Sequence, residues 1–267
     1  MGDTNSTPAL DPPGYGAALR GEGVGLGLIA VIPARLGSTR LPGKPLADLC
    51  GLPMIERVRR AVVASDACDR VVVACEDAEI ATAVRAFGGE AVLTGPAANG
   101  TIRVARVVEM LGLEGAVLNV QGDLPLLEPE HVRRVVALLE ESAPIATLAA
   151  PLVGDPSDPD VVKVVVVDGR AARFSRERIP DRGPWLRHVG IYGFAPGVIS
   201  EMTALPEHPI ETAERLEQLR WMFAGAAIAV GVVDSAHPGV DTLEQLEEVR
   251  RIMGCPTSGR EKVAQGK

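Results

Sequence analysis

Val31-Ile32-Pro33-Ala34-Arg35-Leu36-Gly37-Ser38-Thr39-Arg40-Leu41-Pro42-Gly43-Lys44-Pro45-Leu46 begins as an apolar strand and ends in a loop carrying three cations, two hydroxyls and two glycines. Arginine offers forked donors and lysine a point charge, while glycine lets the backbone come close to a ligand. A loop of this kind, placed directly after a buried strand, is suited to wrapping a polyphosphate. Arg35, Arg40 and Lys44 are the candidate phosphate cations, with Ser38 and Thr39 beside them.

Working outward, strand-like and helix-like runs alternate. Residues 28–33, 71–75, 90–93 and 116–120 read as buried strands. Residues 53–65, 77–87, 101–111 and 129–141 carry apolar residues at helical spacing. This β-α-β-α order predicts an α/β fold with a mostly parallel sheet flanked by helices on both faces. After Pro144 the pattern turns β-rich. Strands are expected at 145–150, 161–167, 170–174 and 188–194, then one helix over 211–223, a strand at 226–233 and a helix at 242–253. The expected build is a Gly/Pro/Ser/Thr-rich disordered leader at 1–27, one domain over 28–253 with a β-rich insertion near 151–200, and a flexible tail at 254–267. Gly23-Val24-Gly25-Leu26-Gly27 is no dinucleotide fingerprint, because it precedes the first strand.

Among the 267 residues, 46% are hydrophobic and 3% aromatic, so the core must rest on aliphatic side chains. A net charge of −8 argues against nucleic acid as a partner, though not against a small anion held by a local cationic loop. No run of about 20 apolar residues predicts a membrane span. Cys50, Cys68, Cys75 and Cys255 form no CxxC pair and no zinc spacing, and are read as free thiols of a reducing, cytoplasmic protein.

Ligands of open α/β sheets bind beyond the carboxyl ends of the strands. There the turn Gln121-Gly122-Asp123-Leu124-Pro125 places a carboxylate able to hold Mg²⁺ opposite a polyphosphate. Gly239-Val240-Asp241-Thr242 precedes the last helix. Thr242 and Gln245 fit a capping box, and Asp241 is a candidate second metal carboxylate. Asn99-Gly100-Thr101-Ile102-Arg103 opens a helix whose N–H groups could read a base or phosphate. His188 and Tyr192 share a strand face. Glu211, Glu214, Glu217, Gln218 and Arg220 crowd one predicted helix, most of them on a solvated face.

In their order along the chain, these motifs resemble those of the 3-deoxy-manno-octulosonate cytidylyltransferases. The matching pieces are Pro33-Ala34-Arg35, Ser38 to Leu46, Val120 to Asp123, Phe174-Ser175-Arg176, Ile179-Pro180, His188 to Gly193, Leu216 to Arg220, and Gly239 to Thr242. The resemblance implies a nucleotidyltransferase-like Rossmann variant that moves CMP from CTP to a sugar acid such as KDO, with Mg²⁺ and release of pyrophosphate. It implies that Arg35, Arg40 and Lys44 hold the triphosphate and that Asp123 and Asp241 hold the metal. The nucleotide is expected to meet Ser38, Thr39, Asn99, Gly100, Thr101 and Arg103 as well. The resemblance further implies that Gln121, His188, Tyr192, Glu217 and Gln218 lie around the acceptor acid. A homodimer built largely through the β-rich insertion is implied as well.

The chain departs from the family pattern at three places. Asn99 and Ile102 alter the helix opening, Leu124 replaces a glutamate after Asp123, and Cys75-Glu76-Asp77 stands where Thr-Asp is usual. Losing acidic groups near the acceptor favours a smaller or more anionic one. The resemblance extends to related cytidylyltransferases of phosphonate pathways, and it implies as the alternative acceptor a phosphonate such as phosphonoformate. Three rivals stand beside this reading: a non-catalytic CTP-binding protein, a glycosyltransferase, and an enzyme using another nucleotide. The glycosyltransferase lacks its usual Asp-x-Asp signature here.

Overall fold

The computed structural model describes residues 27–141, 143–177, 185–237 and 239–255. The expected leader, apart from Gly27, and the tail beyond Cys255 lie outside the described residues, as do Ile179 and Pro180 of the quoted motif.

The first half is an alternating α/β run. Strands β1 (Ile29–Ala34), β4 (Arg70–Cys75), β5 (Glu90–Leu93) and β6 (Val117–Val120) alternate with helices α1 (Met54–Ala64), α2 (Ala78–Ala86) and α3 (Gly100–Leu111). Every residue of β1 is buried, and β1 pairs in parallel with both β4 and β6. A small hairpin of β2 (Asp48–Leu49) and β3 (Leu52–Pro53) lies between β1 and α1. The second half contains α4 (Pro129–Glu140), β7 (Ile145–Pro151), β8 (Lys163–Val167), β9 (Arg170–Ser175), β10 (Leu186–Phe194), α5 (Val198–Ala204), α6 (Pro209–Glu214), α7 (Gln218–Phe223), β11 (Ile228–Val232) and α8 (Leu243–Ile252).

All strands but β2 and β3 join a nine-stranded sheet in the order β5-β4-β1-β6-β10-β7-β11-β9-β8, and β8 also pairs with β10. The mostly parallel expectation is corrected here, because the sheet is mixed. β10 runs antiparallel to β6 and β7, and β8 and β9 form an antiparallel hairpin. Helical crossovers force parallel neighbours in the first half, whereas β10 follows the β8–β9 hairpin and enters in the reverse sense. Two apolar clusters cover the sheet's faces. One is centred on Ile32, Ile55, Val84 and Leu118, the other on Val31, Val107, Phe194 and Trp221.

The single helix expected over 211–223 is two helices, α6 and α7. Arg215 between them has φ 54°, a left-handed conformation uncommon for a residue with a side chain. The break buries Leu216 and turns Glu217 inward, a tertiary demand that periodicity does not register. The expected solvated face is also corrected. Glu211 is buried against Arg220, and Glu214 accepts hydrogen bonds from the Ser175 hydroxyl and the Arg176 N–H, both at 2.8 Å.

The cysteine reading changes too. Cys50 and Cys255 form a disulfide, while Cys68 and Cys75 are free. The fold brings the end of α8 to within 4.9 Å (Cα–Cα) of the β2–β3 turn, across a separation of 205 residues that conceals the pairing in the sequence. Leu49, Met54, Val240, Leu246 and Val249 form a small apolar cluster that joins β2 and α1 to α8, and the Arg250 guanidinium donates to the Asp48 carbonyl at 2.8 Å. Reducing the bond, or replacing Cys50 by Ser, is expected to cost about 2–4 kcal/mol, or roughly 5–15 °C in Tm. Thermal denaturation with and without reductant checks this: the wild type should respond to reductant and Cys50→Ser should not.

Candidate active site

The loop after β1 is held by its own backbone. The Leu36 N–H donates to Asp77 at 2.7 Å, and the Ser38 and Gly43 N–H groups both donate to the Leu36 carbonyl. Gly43, at φ 71°, turns the chain into a single helical turn over Lys44–Leu46, where Pro45 fits the first positions. This delivers the Lys44 ammonium between two carboxylates, 2.7 Å from Asp123 Oδ2 and 3.0 Å from Asp241 Oδ1. Arg40 bridges Asp241 at 2.9 Å and Asp160 at 2.7 Å. Burial penalises the Lys44 charge, yet Asp123 and then Asp241 outweigh that penalty and hold its pKa above the ordinary lysine value.

Two backbone features bring the aspartates together. Gly122 lies so close to β1 that an added Cβ would stand 2.8 Å from the Pro33 carbonyl oxygen. The Val240 N–H donates to the Asp123 carbonyl at 2.9 Å, tying the segment before α8 to the turn after β6. Thr242 and Gln245 form the predicted capping box, and Gln245 Oε1 also accepts from the Asp241 N–H at 2.6 Å. Thr242 therefore caps the helix, and the Asp241 side chain is left for Lys44 and Arg40.

Along this loop runs a cavity of about 330 Å³, lined by Arg35, Ser38, Thr39, Arg40, Lys44, Asn99, Gly100, Arg103, Gln121, Asp123 and Asp241. Arg35 is exposed, and Asn99 caps α3 by accepting from the Ile102 N–H at 2.8 Å. Arg103 reaches the cavity but is 2% exposed. Its guanidinium is engaged by Glu76 at 2.7 Å, the Thr94 hydroxyl and the Gly95 carbonyl, so it ties α3 to the ends of β4 and β5. Thr101 is not on this cavity. It is buried, accepts from Asn119 and engages Glu217.

Thr101 lines a second cavity, of about 280 Å³, together with His188, Tyr192, Glu217 and Gln218. The two cavities share Gln121, Asp123 and Asp241, so they meet at the carboxylates. Burial, with the Arg176 cation nearby, pushes the His188 imidazole down to about 3, so the ring is neutral at ordinary pH. Burial likewise raises the Tyr192 phenol, with Glu217 adding to the effect, and the Tyr192 hydroxyl has no partner among the described residues. The Glu217 carboxyl is raised chiefly by burial, with Thr101 hydrogen bonds opposing it.

Sequence reasoning assigned no role to Arg176, Arg187 or Arg215, all of which line the second cavity. The Arg187 guanidinium has no hydrogen-bond or ion-pair partner among the described residues, and burial alone lowers its pKa. The available signals were its place directly before His188 and Arg176's place in the Phe174-Ser175-Arg176 motif. A cavity in which Arg176, Arg187 and Arg215 stand beside several carboxylates, joined to a phosphate-type loop through Asp123 and Asp241, is suited to bringing an anionic acceptor up to a nucleotide.

Comparison with known proteins agrees with this geometry. The family described as "Cytidylyltransferase" matches residues 29–228. The 3-deoxy-manno-octulosonate cytidylyltransferase of Parvibaculum lavamentivorans is 48% identical over 239 residues, covering 84% of this chain and 92% of the relative. That of Rhodospirillum centenum is 45% identical, covering 87% and 95%. A solved CMP:2-keto-3-deoxy-manno-octonic acid synthetase complexed with CTP superposes with TM-score 0.81 at 39% identity, covering 85% of this chain and 98% of that one. A Bacillus anthracis glucose-1-phosphate thymidylyltransferase shares the fold alone, at TM-score 0.63 and 14% identity. Fold and site thus define a nucleotidyltransferase. Within that class, the chain belongs to the 3-deoxy-manno-octulosonate cytidylyltransferase family.

Proposed function

We propose that this protein transfers CMP from CTP to a 3-deoxy-2-ulosonic sugar acid such as KDO, releasing pyrophosphate, with Mg²⁺ as cofactor. The observation that carries the reading is the meeting of Lys44, Asp123 and Asp241 where the two cavities join. The relatives' names and the CTP-complexed neighbour support the donor and the acceptor class.

In this reading Arg35, Arg40 and Lys44 hold the triphosphate, with Ser38, Thr39, Asn99 and Gly100 lining the nucleotide's path. Thr101 belongs to the acceptor side, and Arg103 braces the wall. Gln121, His188, Tyr192, Glu217 and Gln218 position the acceptor, and Arg176, Arg187 and Arg215 attract its negative charge. An acceptor oxygen bonds to the α-phosphorus as the bond to the departing pyrophosphate oxygen breaks; the electron pair leaves with pyrophosphate and the acceptor's proton passes to solvent. Arg40 and Lys44 neutralise charge growing on the leaving group.

Asp123 and Asp241 suit a magnesium ion. Both reach one cationic nitrogen, and among the described residues no third acidic, histidine or cysteine group joins them. That leaves the remaining positions to phosphate oxygens and water, the usual Mg²⁺ arrangement. Bound there, Mg²⁺ would neutralise charge at the α-phosphate and lower the pKa of an acceptor hydroxyl. A homodimer completes the proposal. Among the described residues no helix is long and apolar enough to cross a membrane.

Leu124, buried along the second cavity, puts an apolar group beside the acceptor and favours including phosphonoformate as an alternative. The test is pyrophosphate release across nucleotides and acceptors, with Mg²⁺ or with EDTA. CTP with KDO should be the most active pair and EDTA should abolish it. Greater activity with phosphonoformate, or activity indifferent to EDTA, would overturn the acceptor or the metal respectively.

A further inference from the structure

A buried hydroxyl in the sheet, that of Thr147, lies against the His188 ring. Thr147 lies on β7, fully buried in an otherwise aliphatic strand. Opposite it, β10 is irregular. Its partners run from Val189↔Leu148 to Tyr192↔Thr147, three steps along β10 against one along β7. Such a bulge re-aims the groups of the longer strand. Here it sends the Gly190 carbonyl to the Gln121 N–H at 3.1 Å and the Ile191 carbonyl to Thr147 Oγ1 at 2.7 Å.

The Thr147 hydroxyl has one proton to give, and a carbonyl can only accept. At 2.7 Å from the Ile191 carbonyl, against 3.5 Å from that of Val189, the hydroxyl proton belongs to Ile191. Towards His188 Nε2, at 2.9 Å, Oγ1 is then an acceptor, so Nε2 carries the ring proton. In a neutral imidazole the other nitrogen is a bare lone pair. His188 Nδ1 has no protein partner among the described residues, and His188 lines the second cavity. Phe174, edge-on at 5.3 Å, and Tyr192 at 5.1 Å hold the ring against rotation.

We propose that Thr147 is a positioning residue that locks His188 in the Nε2–H tautomer, so that Nδ1 accepts a hydrogen bond from a hydroxyl group of the acceptor substrate. This deepens the function proposed above and rests on it. Burial keeps the ring neutral, so it offers no cation to a carboxylate or phosphonate. At this position the site selects a hydroxylated acid over an equally charged acid lacking the hydroxyl, because an unfilled Nδ1 would be left without a partner.

Nitrogen-15 NMR of the histidine side chains, with His188 assigned by comparison with His188→Gln, reads the tautomer without any substrate. The expected wild-type pattern is protonated Nε2 and bare Nδ1. Thr147→Val, close in shape but without the hydroxyl, should shift the ring towards a mixture of tautomers. It should also raise KM for KDO about tenfold, the loss of roughly one hydrogen bond, while KM for CTP stays within about twofold. Thr147→Ser should restore both. A wild-type ring protonated on Nδ1 would overturn the assignment, as would a folded Thr147→Val with unchanged tautomer and unchanged KM for KDO. If Thr147→Val does not fold, the wild-type spectrum alone decides. Should KDO prove not to be a substrate, the cytidylyl-transfer reading fails on the pyrophosphate assay while the spectrum still tests the lock.

Discussion

Lys44→Ala is expected to lower kcat about a hundred- to a thousandfold, the scale on which loss of one preorganised charge contact raises a barrier by roughly 2.7–4 kcal/mol. The ammonium lines the first cavity, 2.7 Å from Asp123 and 3.0 Å from Asp241, the two carboxylates that this cavity shares with the second. Its position is built in advance by Gly43 and the helical turn, so little reorganisation is needed when charge moves to the departing pyrophosphate. Lys44→Arg should rescue poorly, because a planar fork cannot replace a compact ammonium between two carboxylates. Steady-state kinetics at saturating CTP, with circular dichroism to confirm the fold, make the measurement. Near-native turnover in Lys44→Ala would remove the lysine from the catalytic machinery.

Arg220→Ala should destabilise the protein by about 3–5 kcal/mol, the cost of leaving a buried charge without its partner. Arg220 and Glu211 are each 8% exposed and joined by paired contacts of 2.7 and 2.5 Å, and the same guanidinium donates to the Leu205 carbonyl at 2.9 Å. This pair fastens α6 to α7 on either side of the Arg215 break, the segment that turns Glu217 into the second cavity. Glu211→Ala should cost a similar amount. The double replacement Arg220→Met with Glu211→Leu should recover most of the loss, since apolar groups of similar volume can replace a buried pair. Urea denaturation of the three variants measures the effect. Single variants within about 0.5 kcal/mol of wild type would show the pair to be dispensable.

Much of the site was legible because its chemistry is concentrated in short segments. Arg35, Arg40 and Lys44 share one loop after a buried strand, and Asp123 follows directly on another, so strand-end geometry alone places them on one edge. The convergence of Asp241 was legible only through its motif, since 118 residues separate it from Asp123 (241 less 123). Residues whose role depends on packing were not legible. Arg103 has the composition of a ligand contact but is occupied by Glu76 and Thr94. Arg187 reads as an ordinary strand residue until its side chain is found beside the second cavity.

What the amino-acid order determined by itself was local: the alternation of buried strands and amphipathic helices, the glycine- and proline-shaped cationic loop, and the Thr242–Gln245 cap. Each depends on neighbours a few residues away, where side-chain period and backbone preference act directly. Only the tertiary structure decided that β10 enters antiparallel, that the predicted helix breaks at Arg215, that Cys50 finds Cys255, and that Thr147 meets His188 across a bulge. Those outcomes depend on groups far apart along the chain and close in space, where burial and hydrogen-bond satisfaction outweigh local propensity.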